Sequence, residues 1–401
     1  MTHPTIAEFL SFLDASPSAF HAAANVAAML ADAGYARDTD LTPGGHVTVT
    51  GGAVLAWWMP ENPNPRVRIV GSHTDSPSLM LKPDPDFARE GFRQAAVEVY
   101  GGPILSTWFD RDLRFAGRVV CADGSQRLVR TDAIARVPSL AIHLSRSDSV
   151  EIDKQVHLQP VLAVDEDVST LVARAAGVEP GDVLAHEVVA ADAQPSAVVG
   201  ESVMSARLDN LSSVWASTQA MLAAQEAASD ILVLAAFNHE EVGSASVEGA
   251  GGALLERLLA RLSAHVGDPV SFYADSLAVS ADAAHSVHPN YPGKHDPTHR
   301  PLLNHGPVLK VNANQRYASN AVTQAEWIAS CRAAQVPVQT FVSHNAVPCG
   351  STIGPITSTR LGIPTVDVGV PLLSMHSVRE QAGVRDMVWF VEALSAFLRG
   401  R

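Results

Sequence analysis

Histidines and carboxylates recur in this chain at the ends of short apolar runs, where a site would gather them. In VRIVGSHTDSP, His73 and Asp75 stand two apart. Extended backbone puts such a pair on one face, so Asp75 can accept the ring N–H of His73 and turn its other nitrogen toward a metal. Asp209, in SARLDNLSSVWAS, lies just ahead of a helical pattern. An Asp there is ordinarily an N-cap; the alternative is a carboxylate bridging two metals from a rigid helix start. Glu240 and Glu241 leave the apolar run ILVLAAF side by side. In extended backbone they point oppositely, so one can ligate metal while the other faces substrate as a general base. Two acids leaving a buried strand together carry a repulsion that a cation removes. Asp282, in LAVSADAAHSVHPNY, and His376, in VPLLSMHSVRE, complete the set. His285 and His288 lie near Asp282, so a histidine-rich surface is the plain alternative there. Together the residues supply what a dinuclear site needs: a terminal His for each metal, a bridging carboxylate, further carboxylates and one unligated Glu. Mixed N/O ligation suits zinc, with cobalt or manganese as alternatives.

Motifs for other chemistries are absent. There is no HExxH, GxSxG, GxxxxGK[ST] or helix-opening GxGxxG, which removes the main support for zincin, serine hydrolase, P-loop and Rossmann readings.

The elements that must position these residues follow from periodicity. Residues 6–33 read as two helices broken at Ser16 and Pro17. His46 to Met59 alternates as a strand, and Val67 to Gly71 is a second strand that runs into SHTDS. From Pro83 to Val199 short alternating segments, AAVEVYGG, FAGRVVC, QRLVR and SLAIHLS among them, predict a β-rich insertion. Beyond it, alanine-rich helices (Leu211 to Ala228, Ala253 to His265, Ala321 to Gln335) alternate with apolar strands (Ile231 to Phe237, Leu277 to Ser280, Val308 to Val311, Thr365 to Val370). That alternation predicts an α/β sheet with helices on both faces, and such sheets bind ligands at the carboxyl ends of their strands. The expected division is residues 1–82 and 200–401 for one domain and 83–199 for the insertion.

Composition narrows the function classes. The chain has 401 residues, with 28 Lys plus Arg against 42 Asp plus Glu and a net charge of -14. No basic stripe tracks phosphates, so nucleic acid is not an expected partner. The N-terminal residues lack a signal-peptide pattern, and the longest apolar run is too short for a membrane span, so a soluble, cytoplasmic chain is expected. Cys121, Cys331 and Cys349 form no CxxC pair and suggest neither a disulfide framework nor a thiolate zinc site. Charged residues are only 17% of the chain, fewer than the usual ~25%, which suggests surface hidden against other subunits.

The segments SHTDSPSLMLKP, SARLDN, FNHEEVGSAS, SADAAHSVHPNY, HGPVLKVNANQRYASN, PCGSTIGPI and SMHSVRE, in this order, resemble the aspartyl aminopeptidases of the M18 metallopeptidase family. The resemblance implies that His73, Asp209 and Asp282 hold one metal and Asp209, Glu241 and His376 the other, with two divalent ions, zinc foremost, per subunit. It makes Glu240 the general base for a metal-bridged water, beside Asp75 as the carboxylate that the spacing sets to orient His73. It implies release of N-terminal Asp or Glu from peptides, with Lys310 on the substrate carboxylate, Tyr317 as a neighbour, and the turn Gly350, Ser351, Thr352 lining the pocket. It implies a zinc aminopeptidase-like α/β domain split by a β-rich dimerisation domain, and a tetrahedral dodecamer in which His143 reaches a neighbouring subunit's site. The interval between His73 and Asp209 is shorter than in eukaryotic members. Competing readings are a related dinuclear dipeptidase or N-acyl amino-acid deacylase, and a binding or shell-forming protein without catalysis.

Overall fold

In a computed structural model, residues 5–145, 151–267 and 269–400 are described. An eight-stranded mixed sheet runs in the order Gly44–Thr50, Ala53–Met59, Asp230–Phe237, Asn64–His73, Leu277–Ala281, Thr365–Gly369, Val308–Val311, Gln339–Val342. The middle four strands are mutually parallel. Their register puts His73 beside Phe237 and Ala281 beside Val368. The strand ends preceding Asn238, Thr74, Asp282 and Val370 therefore share one edge.

These strands read as continuous apolar runs because both sheet faces are covered. Leu232 and Leu234 pack with Phe9, Leu13, Trp215, Trp327 and Phe397 of one helical layer. Ile231 and Val233, pointing oppositely, pack with Leu255, Leu259, Leu262 and Phe272 of the other. The expected break at Ser16 and Pro17 separates Ile6–Ala15, capped by Thr5, from Ala19–Asp32, whose Ser18 hydroxyl accepts from the His21 N–H.

Two local expectations are corrected. His46 to Met59 is not one strand but a hairpin, Gly44–Thr50 against Ala53–Met59, closed by Gly51–Gly52 with Gly51 at φ 59°. The Gly-Gly pair tolerates the left-handed backbone of a two-residue hairpin turn. SLAIHLS, expected as a strand, is a turn over Ile142–Leu144. Its alternating Leu140, Ile142 and Leu144 are 58%, 64% and 76% exposed, with no strand paired to them among the described residues.

The segment from Ser78 to Asp192 builds a seven-stranded antiparallel sheet, in which Val183–Asp192 pairs with both Ser78–Arg89 and Leu113–Cys121 and so closes the sheet on itself. Its interior holds Leu79, Val97, Trp108, Phe115 and Val119 and is covered by the helix Val168–Ala176. A third sheet of five short strands, Ala197–Val199, Ser202–Ser205, Glu380–Gly383, Pro371–Leu373 and Ala284–His285, lies where the chain leaves and re-enters the parallel strand ends.

Candidate metal centre

Asp209 sits at the middle of the cluster. Its carboxylate receives His73 Nε2 at 3.5 Å from Oδ1 and His376 Nε2 at 3.3 Å from Oδ2. It caps nothing: the helix Leu208–Ala224 begins after Arg207 in a left-handed conformation, with no side-chain cap, and the backbone of Asp209 itself is non-helical. His73 Nε2 also lies 3.5 Å from Asp282 Oδ1, and His376 Nε2 lies 3.5 Å from Glu241 Oε2. His73, Asp209 and Glu241 present ligand atoms within 4.8 Å of one another.

The ring orientations are set from behind. His73 Nδ1 faces the Asp75 carbonyl at 3.1 Å and its carboxylate at 3.4 Å. His376 Nδ1 lies 3.0 Å from the Gly102 carbonyl, and the Ile104 N–H donates to the His376 carbonyl. With each Nδ1 committed as donor, each Nε2 is free to coordinate. The Asp75 carboxylate is a hub: it accepts the N–H groups of Glu240 and Glu241, both at 3.1 Å, and the Tyr100 hydroxyl at 2.7 Å. Glu240 and Glu241 are thus aimed by a 3-10 turn following left-handed His239, not by the strand alternation expected for them. Gly101 packs against this turn at φ 70°, where an added Cβ would lie 3.1 Å from that of Glu241.

Electrostatics show a site short of positive charge. Burial, reinforced by Asp282, Asp209 and Asp75 against the opposing pull of His73, pushes Glu240 up to about 7. Burial and Asp209 push Glu241 well above the carboxylate range. Asp209 pays the same burial penalty, yet hydrogen bonds from His376 and His73 hold it below that range, and the same contacts raise His376 to about 10 against its own burial. Among the described residues Glu241 Oε1 is buried without a hydrogen-bond donor and Asp209 Oδ1 meets only the ring of His73, 3.5 Å away, so the donor set fits divalent metal.

Lys310 and Tyr317 lie on the far side of Asp282. Lys310 is 2% exposed, with Nζ 3.5 Å from Asp282 Oδ2, 3.0 Å from the Ala283 carbonyl and 5.2 Å over the Tyr317 ring. Buried Tyr317 packs with Phe341 and Cys349. Thr352 is buried, caps the helix Ile353–Leu361 and donates to Asp367 at 2.5 Å, whereas Gly350 and Ser351 are exposed. The exposed turn of His143 makes no contact with the cluster among the described residues.

Sequence reasoning passed over Tyr100, Gly102 and Glu380. The first two come from the seven-stranded sheet and its exit, and nothing in a single sequence ties them to Asp75 or His376. Glu380 stood inside the segment SMHSVRE without a role.

A family profile described as "Aminopeptidase I zinc metalloprotease (M18)" matches residues 12–398. A "Probable M18 family aminopeptidase 2" of Streptomyces coelicolor is 46% identical over 418 residues, covering 98% of this chain and 97% of that protein. A protein so named from Mycobacterium bovis is 45% identical over 416 residues, covering 96% of each. Among solved structures, the Ape4 and Nbr1 complex matches with a TM-score of 0.92 at 34% identity, covering 98% of this chain and 85% of that one. The S. cerevisiae mApe1 dodecamer matches at 0.85 and 25%, covering 98% and 95%. Among the described residues no helix is long and apolar enough to cross a membrane.

Proposed function

The chain belongs to the M18 family of aminopeptidases, which are zinc metalloproteases, and on that premise we propose that it releases acidic residues from peptide N-termini at a dinuclear centre. The observation that carries this reading is the convergence of His73 and His376 on opposite oxygens of Asp209, with Lys310 buried beside Asp282. His73, Asp209 and Asp282 would hold one divalent ion and Asp209, Glu241 and His376 the other, zinc foremost, with cobalt or manganese able to replace it. Bound there, the ions would polarise the scissile carbonyl and acidify the attacking water. Glu240, unligated and aimed by the turn on Asp75, would take the proton of that water and deliver it to the leaving amine. Asp75 fixes the His73 ring and the Glu240–Glu241 turn at once, so base and ligands move as one unit.

Lys310 supplies the cation for the acidic side chain of the substrate, with Tyr317 walling the lysine and the turn at Gly350, Ser351 and Thr352 closing the pocket. Replacing Lys310 by Met should cost about 2 to 4 kcal/mol in transition-state binding of Asp- and Glu-initiated peptides, and far less for neutral ones. The check is kcat/KM on both classes together with metal content, because Lys310 also faces Asp282. An unchanged ratio of acidic to neutral cleavage at wild-type metal content removes Lys310 from this role.

Assembly is part of the proposal: a homo-oligomer, a tetrahedral dodecamer built from dimers, in which His143 stabilises the oxyanion in a neighbour's site. The exposed apolar side chains flanking His143 support it, since surface of that kind is normally covered by a partner. Subunits carrying His143→Phe and subunits carrying Glu240→Gln should each be nearly inactive. Mixed after reversible dissociation, they should regain activity above either parent, because some sites then pair an intact Glu240 with a neighbour's intact His143. A mixture that exchanges subunits without gain would place His143 outside the neighbour's chemistry.

A further inference from the structure

Behind the cluster lies a carboxylate that touches neither a reacting position nor a metal-facing atom. Glu380 is 2% exposed. One of its oxygens accepts the backbone N–H of His376 at 2.7 Å, and the other accepts the backbone N–H of Asp209 at 2.9 Å. Both oxygens face amides, which makes Glu380, 171 residues beyond Asp209 in the chain, a clasp between Asp209 and His376. Its own backbone is fixed in the third sheet, in register with Ser205, so the strand leading to Asp209 and the strand following His376 meet at this side chain.

The clasp acts on backbone that ordinary residues adopt reluctantly. His376 has φ 67°, and Arg207, two before Asp209, has φ 60°. Left-handed backbone at such residues persists only where the surroundings over-determine it. An N–H held by a buried carboxyl oxygen is such a constraint. Fixing the amides of both residues fixes the origin of both side chains, and so the 3.3 Å approach of His376 Nε2 to Asp209 Oδ2.

From this geometry we infer that Glu380 is a positioning residue that sets the spacing between Asp209 and His376, and with it the affinity of the centre for its second ion. The inference rests on the metal-centre reading above. A carboxamide at this position keeps one acceptor but turns N–H against N–H at the other amide. An acid one methylene shorter keeps both acceptor oxygens but falls short of spanning both amides.

The test is Co2+ titration of the metal-free full-length protein, followed by visible absorption, for wild type, Glu380→Gln, Glu380→Asp and His376→Ala, with melting of each metal-free form and kcat and KM after loading. Both Glu380 variants should bind one ion about 10- to 100-fold more weakly than wild type, with altered Co2+ bands and a fall in kcat at near-constant KM. The second variant carries the test if the first does not fold. Glu380 variants that melt lower but keep wild-type Co2+ affinity and spectrum overturn the inference, because Glu380 then serves the fold alone. Wild-type Co2+ binding in His376→Ala overturns the metal-centre reading itself, and the inference with it.

Discussion

Glu240→Gln, loaded with metal, is expected to retain its ions and lose about two to four powers of ten in kcat. The amide keeps the size and fold of the side chain but accepts no proton from the attacking water. The turn that carries it is held by backbone N–H groups on Asp75, and these survive the change. KM should move little, because binding and chemistry are then separated. Metal analysis beside single-turnover kinetics checks this result. A variant with full activity, or one that loses metal in proportion to activity, would remove Glu240 as base.

Asp209→Asn should do something different: deplete both ions and bring hydrolysis to the detection limit. Each oxygen of Asp209 faces a different histidine, at 3.5 and 3.3 Å, so a bridging carboxylate cannot be halved without loosening both sites. His376→Ala should lower the occupancy of one ion only. Elemental analysis of the three proteins prepared side by side distinguishes these outcomes. If Asp209→Asn retained two ions per chain, the bridging role would be wrong.

Much of this arrangement was legible because strand ends are legible. The apolar runs before His73, Glu240 and Asp282 are parallel neighbours, and residues just past such ends must meet on one edge. What escaped is what depends on turns and on contacts across layers. The opposed aim expected of Glu240 and Glu241 assumed extended backbone, whereas a 3-10 turn and Asp75 set their directions. The hairpin at Gly51–Gly52 lay inside a pattern whose alternation is the same on both of its strands. SLAIHLS has strand-like alternation but, among the described residues, no strand to pair with, and its apolar side chains stay at the surface. Tyr100 ends a strand of the seven-stranded sheet and Asp75 lies 25 residues earlier in the loop after His73, and no local period connects them. Lys310 alternates like an ordinary surface strand position, yet its strand lies inside the sheet and its charge is met by Asp282 and a carbonyl.

The most direct test of the central claim is kcat/KM for peptides with N-terminal Asp, Glu and Leu, and for N-acylated counterparts, measured before chelation, after it, and after restoring zinc, cobalt or manganese. The Asp and Glu peptides alone should be cleaved at high efficiency, with cleavage lost on chelation and regained with metal. Preference for N-acylated or neutral substrates, or activity that survives complete removal of metal, would contradict that claim.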